Sequence, residues 1–293
     1  MSRSRKLAEG RVVTGQDELE RLVRDWSGLD AIGLDTEFVR TRTFYPKLGL
    51  IQVGDPSGNT LIDVLAIEDW SAFVELLGDD STLKVLHSCG EDLDVLYHQF
   101  GVVPEPIFDT QIGATLAGHG YSLGYQRLVA ELFDLDLPKG ETRSDWLKRP
   151  LSASQLEYAA LDVAYLLPIH ERLSAELERR GRARWAREEF ERLGRIARAR
   201  VDPAWAFDRL KKNNLTPRQR SVLKALSAWR EQEARERDLP RGFVVTDDVL
   251  LRLARRQPRR AEQLEKIPGL KGRERRRSGD ELIEVIRTAL KSP

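Results

Sequence analysis

With 293 residues, 41% of them hydrophobic and 32% charged, the chain has the composition of a water-soluble globular protein and the length of two domains or of one large domain with an appendage. No apolar run approaches the ~20 residues of a membrane span, and the basic start MSRSRKLAEG has neither an apolar stretch behind it nor a small-residue cleavage pattern. A single cysteine, Cys89, excludes an internal disulfide, so a cytoplasmic protein is the expectation.

The net charge of +1 hides an asymmetry. Residues 1–205 hold 25 Lys+Arg against 34 Asp+Glu, a balance of −9, whereas residues 206–293 hold 23 against 13, a balance of +10. A basic tail on an acidic body points to nucleic acid or another polyanion, because cations that neutralise phosphates release counterions. The plain alternative is a well-solvated Arg-rich helical domain.

In chain order, AIGLDTEF (31–38), LGLIQVGD (48–55) and NTLIDVL (59–65) read as strands, with PSG at 56–58 turning the second into the third. A helix around DWSAFVELL, a strand at LKVLHS, a helix from near Glu91 and a short strand IFDT follow. This predicts an α/β domain with a mixed sheet covered by helices. From Ser152 the pattern is helical: the first half of residues 152–180 is expected to be buried and the second, more charged half exposed. Residues 181–211 read as an Arg-rich helical connector broken at Pro203. A new helix starts at Thr216, its cap, with Pro217 in the first position, and three shorter helices complete an all-α domain over 212–293.

The chemistry sits in acids where apolar residues are expected. Asp35 and Glu37 end a strand-like run two residues apart, so both side chains leave one face of the sheet and repel each other unless water or a divalent cation lies between them. Glu91, Asp92 and Asp94 open a helix, where acids also suit the helix dipole. In EYAALDVAYLLP, Tyr158 and Asp162 are one turn apart on the same face of an apolar helix. A carboxylate in such a place must be neutralised, hydrogen-bonded or bound to metal.

Together these motifs resemble the DEDD 3′–5′ exonucleases in their tyrosine-bearing form, and most closely the ribonuclease D family. The stretches GLDTEF, FYPKLGLIQVGD, HSCGEDLDVL, FDTQIGA, KGETRSDWLKRPLS and EYAALDVAYLLPIH stand in that family's order. The resemblance implies an RNase H-like mixed-sheet exonuclease domain over residues 1–180. It implies metal ligands at Asp35, Glu37, Asp92 and Asp162, with Tyr158 as the catalytic tyrosine. Asp92 is preferred to Asp94 because it follows His87 by five residues, as the family's acid does. Two Mg²⁺ or Mn²⁺ ions would serve in-line hydrolysis of a phosphodiester. Asp35 would bridge them, Asp92 would support the second directly or through water, and Tyr158 would orient the attacking water.

In the same family the loop holding Lys139 and Arg143 lies near the active site, where the two could hold phosphate, although a solvated loop would look the same. Phe44, Tyr45 and Gln52 could contact the terminal nucleotide, with core packing the plainer role. No His/Cys zinc spacing, P-loop or dinucleotide fingerprint is present, and Cys89 reads as an idle thiol. The tail resembles the HRDC module, which implies accessory nucleic-acid binding. KGRERRR then offers Lys271, Arg273 and Arg276, with Arg275 and Arg277 beside them. Some members of the resembled family carry two such modules, and one is visible here. The implied activity is removal of nucleotides from the 3′ end of structured RNA, transfer RNA precursors above all, by a monomer without a nucleotide cofactor. The rivals are a 3′–5′ DNA exonuclease and a non-catalytic nucleic-acid binder.

Overall fold

The computed structural model describes residues 9–291 except 139, 142, 143, 200, 201 and 211–213, and these divide into two compact units. The first comprises the chain to Val39 and Pro46–Arg198; the second comprises Arg40–Tyr45 and the chain from Ala199.

The first unit is built on a six-stranded mixed sheet: β1 (Gly10–Val13), β2 (Ala31–Val39), β3 (Lys47–Asp55), β4 (Gly58–Asp63), β5 (Leu83–Leu86) and β6 (Ile107–Asp109), in the order β1-β4-β3-β2-β5-β6. β2, β3 and β4 form an antiparallel meander, while β1, β5 and β6 join parallel to their neighbours. The sequence predicts no strand at β1. It is an exposed edge of four residues whose register, Gly10 opposite Asn59, is set by a partner some fifty positions away. The expected strand 59–65 stops at Asp63, whose carboxylate accepts from Leu65 N–H at 3.0 Å and turns Val64–Ala66 into a 3₁₀ segment.

Helices α1 (Gln16–Trp26), α2 (Ser71–Leu77), α3 (Gly90–Phe100), α4 (Thr110–Ala117), α5 (Tyr125–Phe133), α6 (Ala153–Ala164), α7 (Leu166–Arg179) and α8 (Ala183–Ala199) follow in chain order. Buried Trp26, Phe73, Leu96, Leu128, Ile169 and Leu173 join the sheet residues Ile32, Leu34, Ile51 and Val53 in one core. α7 keeps an inward stripe to its end, Leu166, Ile169, Leu173 and Leu177, so the charged second half of 152–180 is amphipathic rather than exposed. α8, in the stretch read as a connector, buries Ala186, Phe190 and Ala197 in this core, with the Phe190 ring 4.7 Å from Phe108.

The second unit is helical: α9 (Pro217–Glu236), α10 (Arg241–Val244), α11 (Asp247–Arg256), α12 (Ala261–Leu264) and α13 (Gly272–Ala289). Thr216 caps α9 through a reciprocal pair, accepting from Gln219 N–H at 3.2 Å while Gln219 Oε1 accepts from Thr216 N–H at 3.0 Å; such a cap contributes about 1 kcal/mol. Val222, Leu226, Leu250, Leu253, Leu282 and Ile286 fill its centre. No helix of the described residues is long and apolar enough to cross a membrane.

Candidate active site

β2 carries Asp35 and Glu37 on one face, and β3 faces it with Gln52 opposite Asp35 and Leu50 opposite Glu37. Just past Glu37 the register slips by one residue, so Phe38 faces Leu48, the kind of irregularity that re-aims side chains beside active sites. α6 crosses above. Its start is fixed by Ser152, whose hydroxyl accepts from Gln155 N–H at 3.1 Å while Gln155 Oε1 accepts from Ser152 N–H at 3.0 Å.

Two glycines set how low the helix sits. Gly33 and Gly54 are cross-strand partners. A Cβ on Gly54 would lie 2.8 Å from the Val163 carbonyl oxygen, and one on Gly33 3.1 Å from Leu166 Cβ. The backbone just after Asp162 therefore rests on bare sheet. Oxygens of Asp35, Glu37 and Asp162 consequently fall within 4.8 Å of one another, all three residues being half-buried.

Asp92 stands in the first turn of α3, outside the trio of carboxylates that converge within 4.8 Å among the described residues. It is buried, and it accepts a 2.5 Å hydrogen bond from Thr36, the residue between Asp35 and Glu37 that faces the other way. The start of α3 is in turn tied down by Asp109, which accepts from Cys89 N–H at 2.8 Å while capping α4 through Gln111 and Ile112. Asp94 is half-buried.

The electrostatics follow from crowding like charges in a dry place. Asp35 is pushed well above the ordinary carboxylate range by burial, then by the charges of Asp92, Asp162 and Glu37. Burial, then Asp162 and Asp92, pushes Glu37 up to about 9. Asp162 rises to about 7, burial outweighing the hydrogen bond that Tyr158 donates to it. Asp92 rises to about 6 through burial, against the pull of Thr36. Burial and the neighbouring carboxylates also push the Tyr158 hydroxyl far above its ordinary value. Hard oxygen donors that repel one another at this range fit divalent cations of the Mg²⁺ or Mn²⁺ kind.

The Tyr158 ring lies against a loop. Gly140 approaches so closely that a Cβ there would overlap the ring, and Trp146 is 6.2 Å away between centroids. Arg149 holds this loop to the sheet with two 2.6 Å hydrogen bonds to Asp63 and one of 2.8 Å to the Gly49 carbonyl. Lys139 and Arg143, on the same loop, lie outside the described residues.

Gln52 is fully buried, with both amide atoms lacking a hydrogen-bond partner among the described residues. Phe44 and Tyr45 belong to the second unit, where their N–H groups donate to Asp238 at 3.0 and 3.1 Å and Arg241 lies over the Phe44 ring at 4.6 Å. Cys89 is buried and its thiol pushed up by burial, an inert state. In the basic cluster Lys271, Arg273 and Arg276 are exposed, whereas Arg275 is half-buried and 3.5 Å from Glu265. Lys271 and Arg273 help line a cleft with Arg237, Leu239, Phe243 and Glu274.

The chain is similar to known proteins over most of its length. Residues 11–178 match the 3′–5′ exonuclease family and residues 219–286 the HRDC domain. Ribonuclease D of Pseudomonas paraeruginosa is 44% identical over 276 residues, covering 94% of this chain and 73% of that protein. The chain belongs to the ribonuclease D family. It is a 3′–5′ exoribonuclease. Among solved structures, that of Escherichia coli RNase D, an exoribonuclease involved in structured RNA processing, is similar with a TM-score of 0.86 at 40% identity, covering 97% of this chain and 76% of the other. Brucella melitensis NrnC with bound Mg²⁺ is similar with a TM-score of 0.57 at 28% identity over 71% of this chain and 98% of the other. Within the family frame the sequence reading passed over Thr36. Its signal was available: a polar residue between two same-face acids must point into the opposite, buried side of the strand.

Proposed function

We propose that this ribonuclease D family member uses two divalent cations, Mg²⁺ or Mn²⁺, to remove nucleotides one at a time from the 3′ end of structured RNA precursors, transfer RNA among them. The observation that carries the reading is the close approach of Asp35, Glu37 and Asp162, with Tyr158 bonded to the last of them. Bound cations of this kind supply an activated water and charge neutralisation at the leaving oxygen. Asp35, Glu37 and Asp162 would hold them, and Asp92, engaged with Thr36, would support the second ion directly or through water. Tyr158 would orient the attacking water through its hydroxyl. Its raised proton affinity suits a donor and orienter rather than a base.

The reading divides the chain into an exonuclease domain over 1–180, a helical connector over 181–211 and an HRDC domain over 212–293. In the last, exposed Lys271, Arg273 and Arg276 would meet RNA phosphates; Lys139 and Arg143 would do so beside the active site. The enzyme would act as a cytoplasmic monomer without a nucleotide cofactor. The test is a time course on a 3′-extended transfer RNA and on matched RNA and DNA oligomers, with Mg²⁺, Mn²⁺ or chelator. One-nucleotide steps that require the cation and favour RNA are expected. Cation-independent cleavage, silence with both cations, or equal turnover of DNA would refute it.

A further inference from the structure

The helix that carries Tyr158 and Asp162 does not run straight on. α6 ends at Ala164, Tyr165 takes φ −112° and ψ 1°, and α7 begins at Leu166. Pro168 is one cause: it has no N–H for the Ala164 carbonyl, and its ring disfavours straight continuation. The other comes from 40 residues earlier in the chain. The hydroxyl of Tyr125 donates to the Leu161 carbonyl at 2.9 Å and accepts from Tyr165 N–H at 3.1 Å. An unbroken helix joins that carbonyl and that amide to each other. The phenol therefore stands inside the helical hydrogen-bond ladder, an insertion that bends helices sharply.

The insertion brackets Asp162, with one contact on the residue before it and the other three residues after it. Tyr125 is mounted on a different part of the fold. It is the first residue of α5, and its ring meets His87 edge-on at 5.6 Å, while His87 Nδ1 lies 2.8 Å from the Thr110 hydroxyl. Thr110 donates to the Leu86 carbonyl at 3.0 Å, so the wedge is braced from the end of β5. Beneath the bend is the bare Gly33–Gly54 pair. The bend is thus held from both sides, by a hydroxyl and by the sheet.

We propose that Tyr125 is a positioning residue for the metal site: its hydroxyl fixes the bend between α6 and α7 and thereby where the Asp162 carboxylate stands relative to Asp35 and Glu37. The inference rests on the reading of Asp162 as a ligand. Tyr125→Phe keeps the ring and removes both hydrogen bonds. The Leu161 carbonyl then loses its donor and the Tyr165 N–H keeps only the Val163 carbonyl, so the bend, still favoured by Pro168, loses the strut that sets its angle and Asp162 is free to turn. Ligand sets tolerate displacements of only about 0.5 Å.

The experiment compares the full-length wild type, Tyr125→Phe and Asp162→Asn. Mn²⁺ binding is measured without RNA by the free-ion electron paramagnetic resonance signal, kcat and KM on a 3′-tailed RNA, and amide hydrogen exchange by NMR. For Tyr125→Phe, kcat is expected to fall about tenfold or more with KM within about twofold, and Mn²⁺ affinity of the folded protein to fall about fivefold. A hydroxyl that served stability alone would lower the melting temperature and leave Mn²⁺ affinity unchanged. Tyr125→Phe with wild-type kcat and Mn²⁺ affinity overturns the proposal. So does a Tyr165 amide that exchanges in the wild type as fast as a surface amide, an outcome that can be read even if the variant fails to fold. Wild type that binds no Mn²⁺, or Asp162→Asn that binds it normally, removes the ligand reading itself and this inference with it.

Discussion

Gly54→Ala tests how tightly the sheet sets the height of the site. The new methyl would stand 2.8 Å from the Val163 carbonyl oxygen, 3.2 Å from Val163 Cβ and 3.3 Å from its carbonyl carbon, where ordinary contact begins at 3.4 Å. The obstacle is helix backbone, so no side chain can rotate out of the way, and the segment must rise by about 0.6 Å, the shortfall to ordinary contact. Overpacking of this kind costs about 1–3 kcal/mol, offset by about 0.4–1 kcal/mol from the stiffer unfolded chain. The net loss lies between about zero and about 2.6 kcal/mol, a fall in melting temperature of up to roughly 10 °C for a domain of this size. Activity should suffer more than stability, because Asp162 is the residue next to the lifted carbonyl and a misplacement of about 1 Å can cost about a hundredfold. We expect kcat on a 3′-tailed RNA to drop about tenfold or more at a temperature where the variant is fully folded. Gly33→Ala, whose nearest neighbour is the Leu166 side chain at 3.1 Å, should do less, and Gly124→Ala, with nothing within 4 Å, should do nothing. Wild-type kcat in Gly54→Ala, or equal losses in all three variants, would refute the account of the glycine seat.

Asp162→Asn should reduce hydrolysis about a hundredfold or more, since one ligand charge is lost; in chelator the same variant should melt higher than the wild type, because a buried like charge has gone. For pH, the sign follows from proton affinities raised by folding: Glu37 stands at about 9 and Asp162 at about 7, and Asp35 is also raised. The folded protein then holds protons that the unfolded chain releases, so in chelator stability is full below the ordinary carboxylate range near 4 and is lost as pH climbs toward about 9. Saturating Mg²⁺ should flatten that decline in a melting series, and a metal-free protein that grows more stable across this window would contradict the site's electrostatics. Replacing Lys271, Arg273 and Arg276 together by Ala should lower the slope of log affinity against log salt by about 2 for single-stranded RNA, with Mn²⁺ binding unchanged in the same preparation.

Much of this architecture is legible in sequence because it depends on short-range geometry. The DxE spacing puts Asp35 and Glu37 on one face through the strand period, YxxxD does the same for Tyr158 and Asp162 on a helix, and Ser152 and Thr216 announce helix starts by a side chain that meets an amide three residues on. What the spacing does not reveal is how far apart these faces stand. That distance is decided by groups remote in the chain. Gly33 and Gly54 become a seat only when β2 and β3 pair in one register. Asp92 acquires its orientation from Thr36, 56 residues away. Pro168 is visible within EYAALDVAYLLP, yet proline is tolerated in the first turn of a helix, so by itself it does not say that the helix bends after Asp162 rather than starting afresh. Tyr125 supplies the missing reason, and nothing in its own neighbourhood marks it. The basic tail poses the same problem in electrostatic form: a count of cations gives the sign of the field, but Arg237 is spent on Glu274 at 2.8 Å and Arg275 stands beside Glu265, so only folding distinguishes the arginines available to phosphate from those already paired. A site made of mutually repelling groups is especially sensitive to this, because its chemistry depends on separations of a few ångströms that neither period nor composition encodes.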